Sequence, residues 1–233
     1  MPHVVITGAS QGIGAALAEA FAREPNARLG LIARTRSTLE QVAERCRELG
    51  AEVAIHPADV TEDDAVQKAA DALLTHWGPP DILINNAGQF LPGDAVDTSP
   101  DVFRQQIAVN LTSAFVVTRA FLPAMLARRR GHIFFLGSVA SIQGYPRGLA
   151  YCAAKHGVLG LARALRAETK DHGLRVTTLL PGATYTPSWE STPEPATRFI
   201  PPEDVARVAL DIYHLSERTV VEEILLRPQQ GDL

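Results

Sequence analysis

A single α/β domain is predicted, with a Rossmann-type, doubly wound parallel sheet of about seven strands and helices on both faces. Two observations predict it. Short apolar runs alternate with helix-period segments along all 233 residues, and the first run passes straight into a glycine-rich turn that opens a helix. His3–Thr7 reads as the first strand and Gly12 to about Glu24 as the first helix. Arg28–Ala33 is the second strand, and Ser37-Thr38-Leu39-Glu40 has the capping-box pattern of a helix that stops near Gly50. Glu52–His56 is the third strand, after which Thr61 caps a helix ending near Gly78. Asp81–Asn85 is the fourth, buried by its Ile82-Leu83-Ile84 centre. Ser99-Pro100 starts a long helical stretch to about Arg130, in which Pro123 predicts a kink or a break. Next come a strand at His132–Ser138, a loop to Leu149, a helix across Tyr151–Lys170 and a strand at Arg175–Leu180. A Pro/Ser/Thr-rich segment, Pro181–Pro202, precedes a helix to about Leu215 and a last strand near Val220–Leu226. With no repeat or linker, residues 1–233 read as one domain.

Composition narrows the function classes. A net charge of −4 argues against nucleic acid as a partner, since phosphate binding favours a basic face. The one dense basic run, Arg128–Arg130, stands where a helix ends before Gly131, and cations there complement free carbonyls. Two cysteines, Cys46 and Cys152, make neither a disulfide framework nor a metal site. His156 reads as a packing residue. There is no signal-like opening and no apolar run of ~18 residues, so a soluble, cytoplasmic protein without membrane contact is expected.

The chemistry lies in a few motifs. Glycines 8, 12 and 14 in Thr7-Gly8-Ala9-Ser10-Gln11-Gly12-Ile13-Gly14 let the backbone approach a pyrophosphate at a helix N-terminus. Arg34, with Arg36, ends the second strand where a ribose 2′-hydroxyl would favour a carboxylate and a 2′-phosphate favours a guanidinium. The expected coenzyme is therefore NADP(H) rather than NAD. Asp59-Val60 stands where a side chain could meet an adenine, and Asn85-Asn86-Ala87-Gly88 could leave room for a cofactor, hold neighbouring loops, or simply form a turn. Tyr151 and Lys155 lie four residues apart on one helical face. Lysine is scarce, three residues against nineteen arginines. A phenol pKa of ~10 falls by about three units for roughly 4 kcal/mol, which a cation ~4 Å away supplies at an effective dielectric of ~20. The spacing alone also fits an ordinary surface pair.

Taken together, the Thr7–Gly14 turn, Asn85–Gly88, Ser138 and Tyr151/Lys155 resemble, in order, the short-chain dehydrogenase/reductase family, as do Asn110 and Pro181-Gly182. The resemblance implies a nicotinamide cofactor, a small-molecule carbonyl substrate and a homodimer or homotetramer. It implies that Tyr151 is the general acid or base, and that Lys155 lowers its pKa and holds the nicotinamide ribose. Ser138 would bond the carbonyl oxygen, and Asn110 would hold a proton-relay water. The cofactor-binding residues it implies are Gly8, Ser10, Gln11, Gly12, Ile13, Gly14, Arg34, Asp59, Val60, Asn86, Ala87, Gly88, Tyr151, Lys155, Pro181, Gly182, Thr184 and Thr186; no metal is implied.

Within the family, the second half resembles the bacterial sepiapterin reductases, at His132–Phe135, Ser138–Ala140, Pro181–Trp189 and the tail Arg218–Leu233. The segment 183–200 would then cover the substrate. Ser138, Tyr151, Gly182, Tyr185, Trp189 and Asp232 are the substrate candidates, with an aromatic ring for a pterin to stack on and a carboxylate for its amino-pyrimidine edge. Trp189 equally fits a loop anchor, and Asp232 a frayed terminus. Other carbonyls, such as a 3-oxoacyl thioester or a sugar or steroid ketone, remain open, as does a non-catalytic NADP-binding sensor.

Overall fold

The computed structural model describes residues 2–189 and 192–232. Seven strands form one parallel sheet in the order β3-β2-β1-β4-β5-β6-β7. They are β1 (His3–Thr7), β2 (Arg28–Ala33), β3 (Glu52–Pro57), β4 (Ile82–Asn85), β5 (Gly131–Leu136), β6 (Leu174–Pro181) and β7 (Glu223–Leu226). The helices are α1 (Gly12–Ala22), α2 (Arg36–Glu48), α3 (Asp63–Trp77), α4 (Pro100–Ile107), α5 (Ser113–Arg128), α6 (Leu149–Thr169) and α7 (Pro202–Tyr213).

Alternating side chains divide the core. Val4 and Ile6 face a layer containing Leu17 and Phe21 of α1, Leu39 and Val42 of α2 and Val205 of α7. Val5 faces Leu73 of α3, Phe121 of α5 and Val158 of α6. Because both faces are covered, β1, β2, β4 and β5 carry apolar runs at Val4–Ile6, Leu29–Ala33, Ile82–Ile84 and Ile133–Leu136, while β6 keeps Arg175, Thr177 and Thr178 among its apolar residues. Chain order reverses between β1 and β4, where the crevice of an open α/β sheet forms beyond the carboxyl ends of the strands.

Several boundaries differ from the sequence expectation. Thr35, not Ser37, is the N-cap of α2, and no side chain caps it; Thr38 Oγ1 instead donates to the Thr35 carbonyl at 3.2 Å. Glu62, not Thr61, is the N-cap of α3, because the Asp59 carboxylate accepts from both the amide and the hydroxyl of Thr61 at 2.9 and 2.7 Å. β5 stops at Leu136, and Ser138 caps a short 3-10 turn, Val139–Ser141. The long helical stretch is interrupted not at Pro123 but by a π-turn, Ala108–Thr112. Pro123 lies on the exposed face of α5, and Arg119, whose carbonyl loses its i+4 donor, is exposed to water too. The run Pro100–Arg128 is long enough to cross a membrane, and its most apolar 18 residues have a mean hydropathy of 1.4, yet α5 lies against α3 and β4.

The basic run is engaged at the amino edge of β5. Arg128 donates to the Pro79 and Pro80 carbonyls at 3.0 and 2.7 Å and pairs with Asp81 at 3.2 Å. Arg129 caps α5 in the left-handed region, at φ 55°, and donates to the Asp171 carbonyl, while Arg130 pairs with Glu217.

Candidate active site

The first wall of the crevice is the turn between β1 and α1. Gly8 and Gly12 hold φ of 64° and 54°, which side chains avoid. A Cβ on Gly14 would stand 2.2 Å from the Gly8 carbonyl oxygen, so only glycine lets the helix begin this close to the strand. Gln11 is the N-cap and supplies no side-chain cap, which leaves the first N–H groups of α1 open to an anion. These open donors, on a turn that lacks a Cβ at Gly8, Gly12 and Gly14, fit a pyrophosphate. Ser10, Gln11 and Ile13 line the same turn, none of them fully buried. Asn86 braces it from β4: its Nδ2 donates to the Thr7 and Gly8 carbonyls at 2.9 and 3.1 Å, and Thr7 Oγ1 accepts from the amides of Asn86 and Ala87, both at 3.1 Å. Asn85 points away, into the core, bonded to Thr118 Oγ1 at 2.9 Å.

Arg34 and Arg36 are exposed beyond β2. Burial resists ionisation of Asp59, but two hydrogen bonds from Thr61 and the charge of Arg34 outweigh it and hold its carboxyl below the usual range. Val60 is buried against Val66 and Ile32 rather than turned outward.

The second wall gathers Ser138, Tyr151 and Lys155. Ser138 is held with its Oγ accepting from the Ala140 amide at 3.1 Å. Tyr151 and Lys155 stand one turn apart on α6, as their spacing predicts, with Nζ 5.6 Å from the Tyr151 ring centroid. Lys155 is buried, and its Nζ donates to the Leu136 carbonyl at 2.6 Å. The electrostatics differ from the sequence argument. Burial pushes the Tyr151 phenol up to about 12 even though the Ser138 hydroxyl pulls it down, and burial lowers Lys155 to about 8. Desolvation therefore outweighs the one cause that lowers the phenol, the Ser138 hydrogen bond.

Asn110 lies in the π-turn, buried. Its amide clamps the loop after β4: Oδ1 accepts from the Gln89 amide at 3.0 Å, and Nδ2 donates to the Gln89 and Gln106 carbonyls at 2.8 and 3.0 Å. A Cβ on Gly88 would be 2.8 Å from Asn110 Oδ1 and 3.6 Å from Lys155 Nζ, so Gly88 lets this loop lie against both.

The segment after β6 turns back across the crevice. Gly182 is tied to the Leu226 carbonyl at 2.8 Å, and Thr184 Oγ1 donates to the Gly182 carbonyl at 3.0 Å. A Cβ on Gly12 would stand 3.0 Å from the Thr186 methyl, which brings this segment to the glycine turn. Tyr185 and Trp189 both rest on Phe199, with ring centroids 5.6 and 5.1 Å apart, so the anchor role suits them. Residues 190 and 191 of the expected substrate cover lie outside the described residues, as does Leu233 of the tail. Asp232 is not frayed. It pairs with Arg227 and lies within 3.4 Å of Gln143 Nε2, and its Oδ1 is 3.4 Å from where a Gly182 Cβ would stand.

Sequence reasoning missed Phe90 and Tyr145. Phe90 meets the Tyr151 ring edge-on at 5.1 Å and the Tyr145 ring at 6.2 Å. Adjacency was the available signal: Phe90 stands two residues after Asn85–Gly88, and Tyr145 lies between Ser138 and Tyr151. No group of acidic, histidine or cysteine side chains that could hold a metal occurs among the described residues.

A family model described as short chain dehydrogenase matches residues 2–196. A sepiapterin reductase from Chlorobaculum tepidum is 36% identical over 243 residues, covering 100% of this chain and 99% of that protein. An alcohol dehydrogenase from the archaeon Thermococcus sibiricus, solved with 5-hydroxy-NADP, superposes with a TM-score of 0.93 at 31% identity, covering 100% of this chain and 99% of the other. A metagenomic short-chain oxidoreductase solved with NADP gives 0.86 at 33%, covering 98% and 97%.

Proposed function

The chain belongs to the short-chain dehydrogenase family and is a dehydrogenase/reductase enzyme, and on that premise we propose that it uses NADP(H) to interconvert a small-molecule carbonyl and a secondary alcohol. The observation that carries the proposal is the convergence of Ser138, Tyr151 and Lys155 beside the brace of Asn86 on the glycine turn. NADP-bound relatives and the two exposed arginines beyond β2 support the coenzyme. The chain is read as one domain, residues 1–233, with 183–200 covering the substrate.

A nicotinamide, when bound, would supply or accept the hydride. The glycine turn and the open end of α1 would hold the pyrophosphate, and Arg34 would meet the 2′-phosphate. Ser138 donates to the carbonyl oxygen as charge grows on it. Tyr151 gives that oxygen a proton in reduction and takes it back in oxidation. A proton on buried Lys155 favours the phenolate that Tyr151 leaves behind, since opposite charges in a dry site attract strongly. The Asn110 amide is committed to Gln89 and Gln106, and so fixes the loop after β4 next to Lys155.

For the substrate, a pterin side-chain ketone is the leading candidate. It is supported by full-length likeness to a sepiapterin reductase and by the place of Asp232 beside Gly182. A carrier-borne thioester has less support, because Arg128–Arg130 are engaged at the amino edge of β5, away from the strand carboxyl ends. The test is a carbonyl panel, sepiapterin included, assayed with NADPH and NADH. Oxidation of neither coenzyme by any carbonyl would refute the enzyme assignment. It would leave the sensor reading if NADPH still binds.

A further inference from the structure

We propose that Phe90 and Tyr145 form an aromatic wall that selects the substrate, so that the enzyme prefers carbonyls carrying a planar ring next to the reacting carbon over small aliphatic ones. The inference rests on the carbonyl-reductase reading above and narrows its substrate class. Tyr151 must come within a hydrogen bond of the reacting oxygen, so whatever adjoins its ring faces the substituents of the carbonyl. Phe90 adjoins it, edge to face at 5.1 Å, and Tyr145 extends the surface at 6.2 Å from Phe90. Rings so arranged present further faces and edges to a third ring, the geometry aromatic groups favour.

The wall is held by the backbone. Asn110 fixes Gln89, the residue before Phe90, by two hydrogen bonds. Gly93 bridges to Gly148, and its amide donates to the Arg147 carbonyl at 3.0 Å, which joins the loop carrying Phe90 to the one carrying Tyr145. A Cβ on Gly148 would meet the Tyr145 ring at 2.5 Å, so the glycine lets that ring lie against the start of α6. Wall residues held this way lose little further freedom on binding, and preorganisation of that kind favours a rigid ring over a flexible chain. The same loop presents exposed Ile142 and then Gln143, whose amide joins the Arg227–Asp232 pair. A ring on this wall thus has an apolar neighbour and a hydrogen-bonding edge within one loop. Tyr185 and Trp189, resting on Phe199, belong to the cover instead.

Ethyl benzoylformate and ethyl pyruvate test this, since they share the reacting ketoester and differ in phenyl against methyl. Steady-state kinetics with NADPH are compared for wild type, Phe90→Ala, Tyr145→Ala and Phe90→Tyr. The expected result is a fall of about tenfold in kcat/KM for the phenyl ester in each alanine variant, carried mainly by KM, with less than about threefold for the methyl ester. Phe90→Tyr should restore most of the preference. Equal losses on the two esters would overturn the inference, making the rings mere props for Tyr151. So would a ratio that neither alanine variant moves, with the reductase reading left standing. A wild type that reduces neither ester, nor any other carbonyl, overturns both readings together.

Discussion

Two buried histidines should make this fold acid-sensitive. His132 sits in β5, stacked on Phe134 at 4.0 Å with its Nε2 2.7 Å from Thr177 Oγ1. His3 sits in β1, edge-on to Trp77 at 5.2 Å. Burial holds His3 down at about 4 and His132 at about 2, against 6.5 for a free imidazole; Arg175 adds to the effect on His132, and Asp81 opposes it on His3. Both folded-state values are depressed, so below pH 6.5 the unfolded chain binds more protons and stability falls with pH. Each pH unit below 6.5 removes about 1.4 kcal/mol per histidine until its folded value is reached. At pH 5 that is about 2 kcal/mol each, or about 4 kcal/mol together, a large share of a typical stability of ~5–15 kcal/mol. Urea unfolding followed by tryptophan fluorescence at pH 7 and pH 5 measures it. A His3→Gln/His132→Gln double variant should lose about 4 kcal/mol less than wild type over that interval. Parallel losses in the two proteins would refute the reasoning and put the acid sensitivity in the carboxylates.

Tyr151→Phe should lower kcat by about 100-fold or more while NADPH affinity, read by fluorescence titration, stays within a few-fold. Arg34→Asp should shift the kcat/KM preference from NADPH toward NADH; an unchanged preference would remove Arg34 from the 2′-phosphate. Gly14→Ala puts a methyl against the Gly8 carbonyl and should reduce stability by about 1–3 kcal/mol, measured by urea midpoint, along with loss of coenzyme binding. If Asp232 holds a pterin edge, Asp232→Ala should raise KM for sepiapterin by about tenfold, the value of one charge-assisted hydrogen bond.

The strands and helices were legible because burial writes its period into the sequence. β1 and β2 lie where their apolar runs place them, and α6 brings Tyr151 over Lys155 as a four-residue spacing requires. Helix starts were less legible, since Thr61 has the right side chain for a cap but a nearer acceptor in Asp59. The π-turn that buries Asn110 has no composition of its own, whereas Pro123 advertised an interruption that a solvated face tolerates. Electrostatics were least legible. The Tyr151–Lys155 spacing says nothing about how much water both groups lose, and that loss dominates. Phe90 and Tyr145 escaped because a lone aromatic in a loop carries no periodic signal.

The brace between Thr7 and Asn86 joins residues 79 apart in the chain. Closing a loop of that length costs about 4 kcal/mol in chain entropy, so no short fragment can hold the glycine turn in shape. The turn is local in sequence, yet its geometry is a long-range product, set only when β1 finds β4. Amide exchange at Asn86 and Ala87 should therefore follow global unfolding and not loop motion, which makes those two protons reporters of when the crevice exists at all.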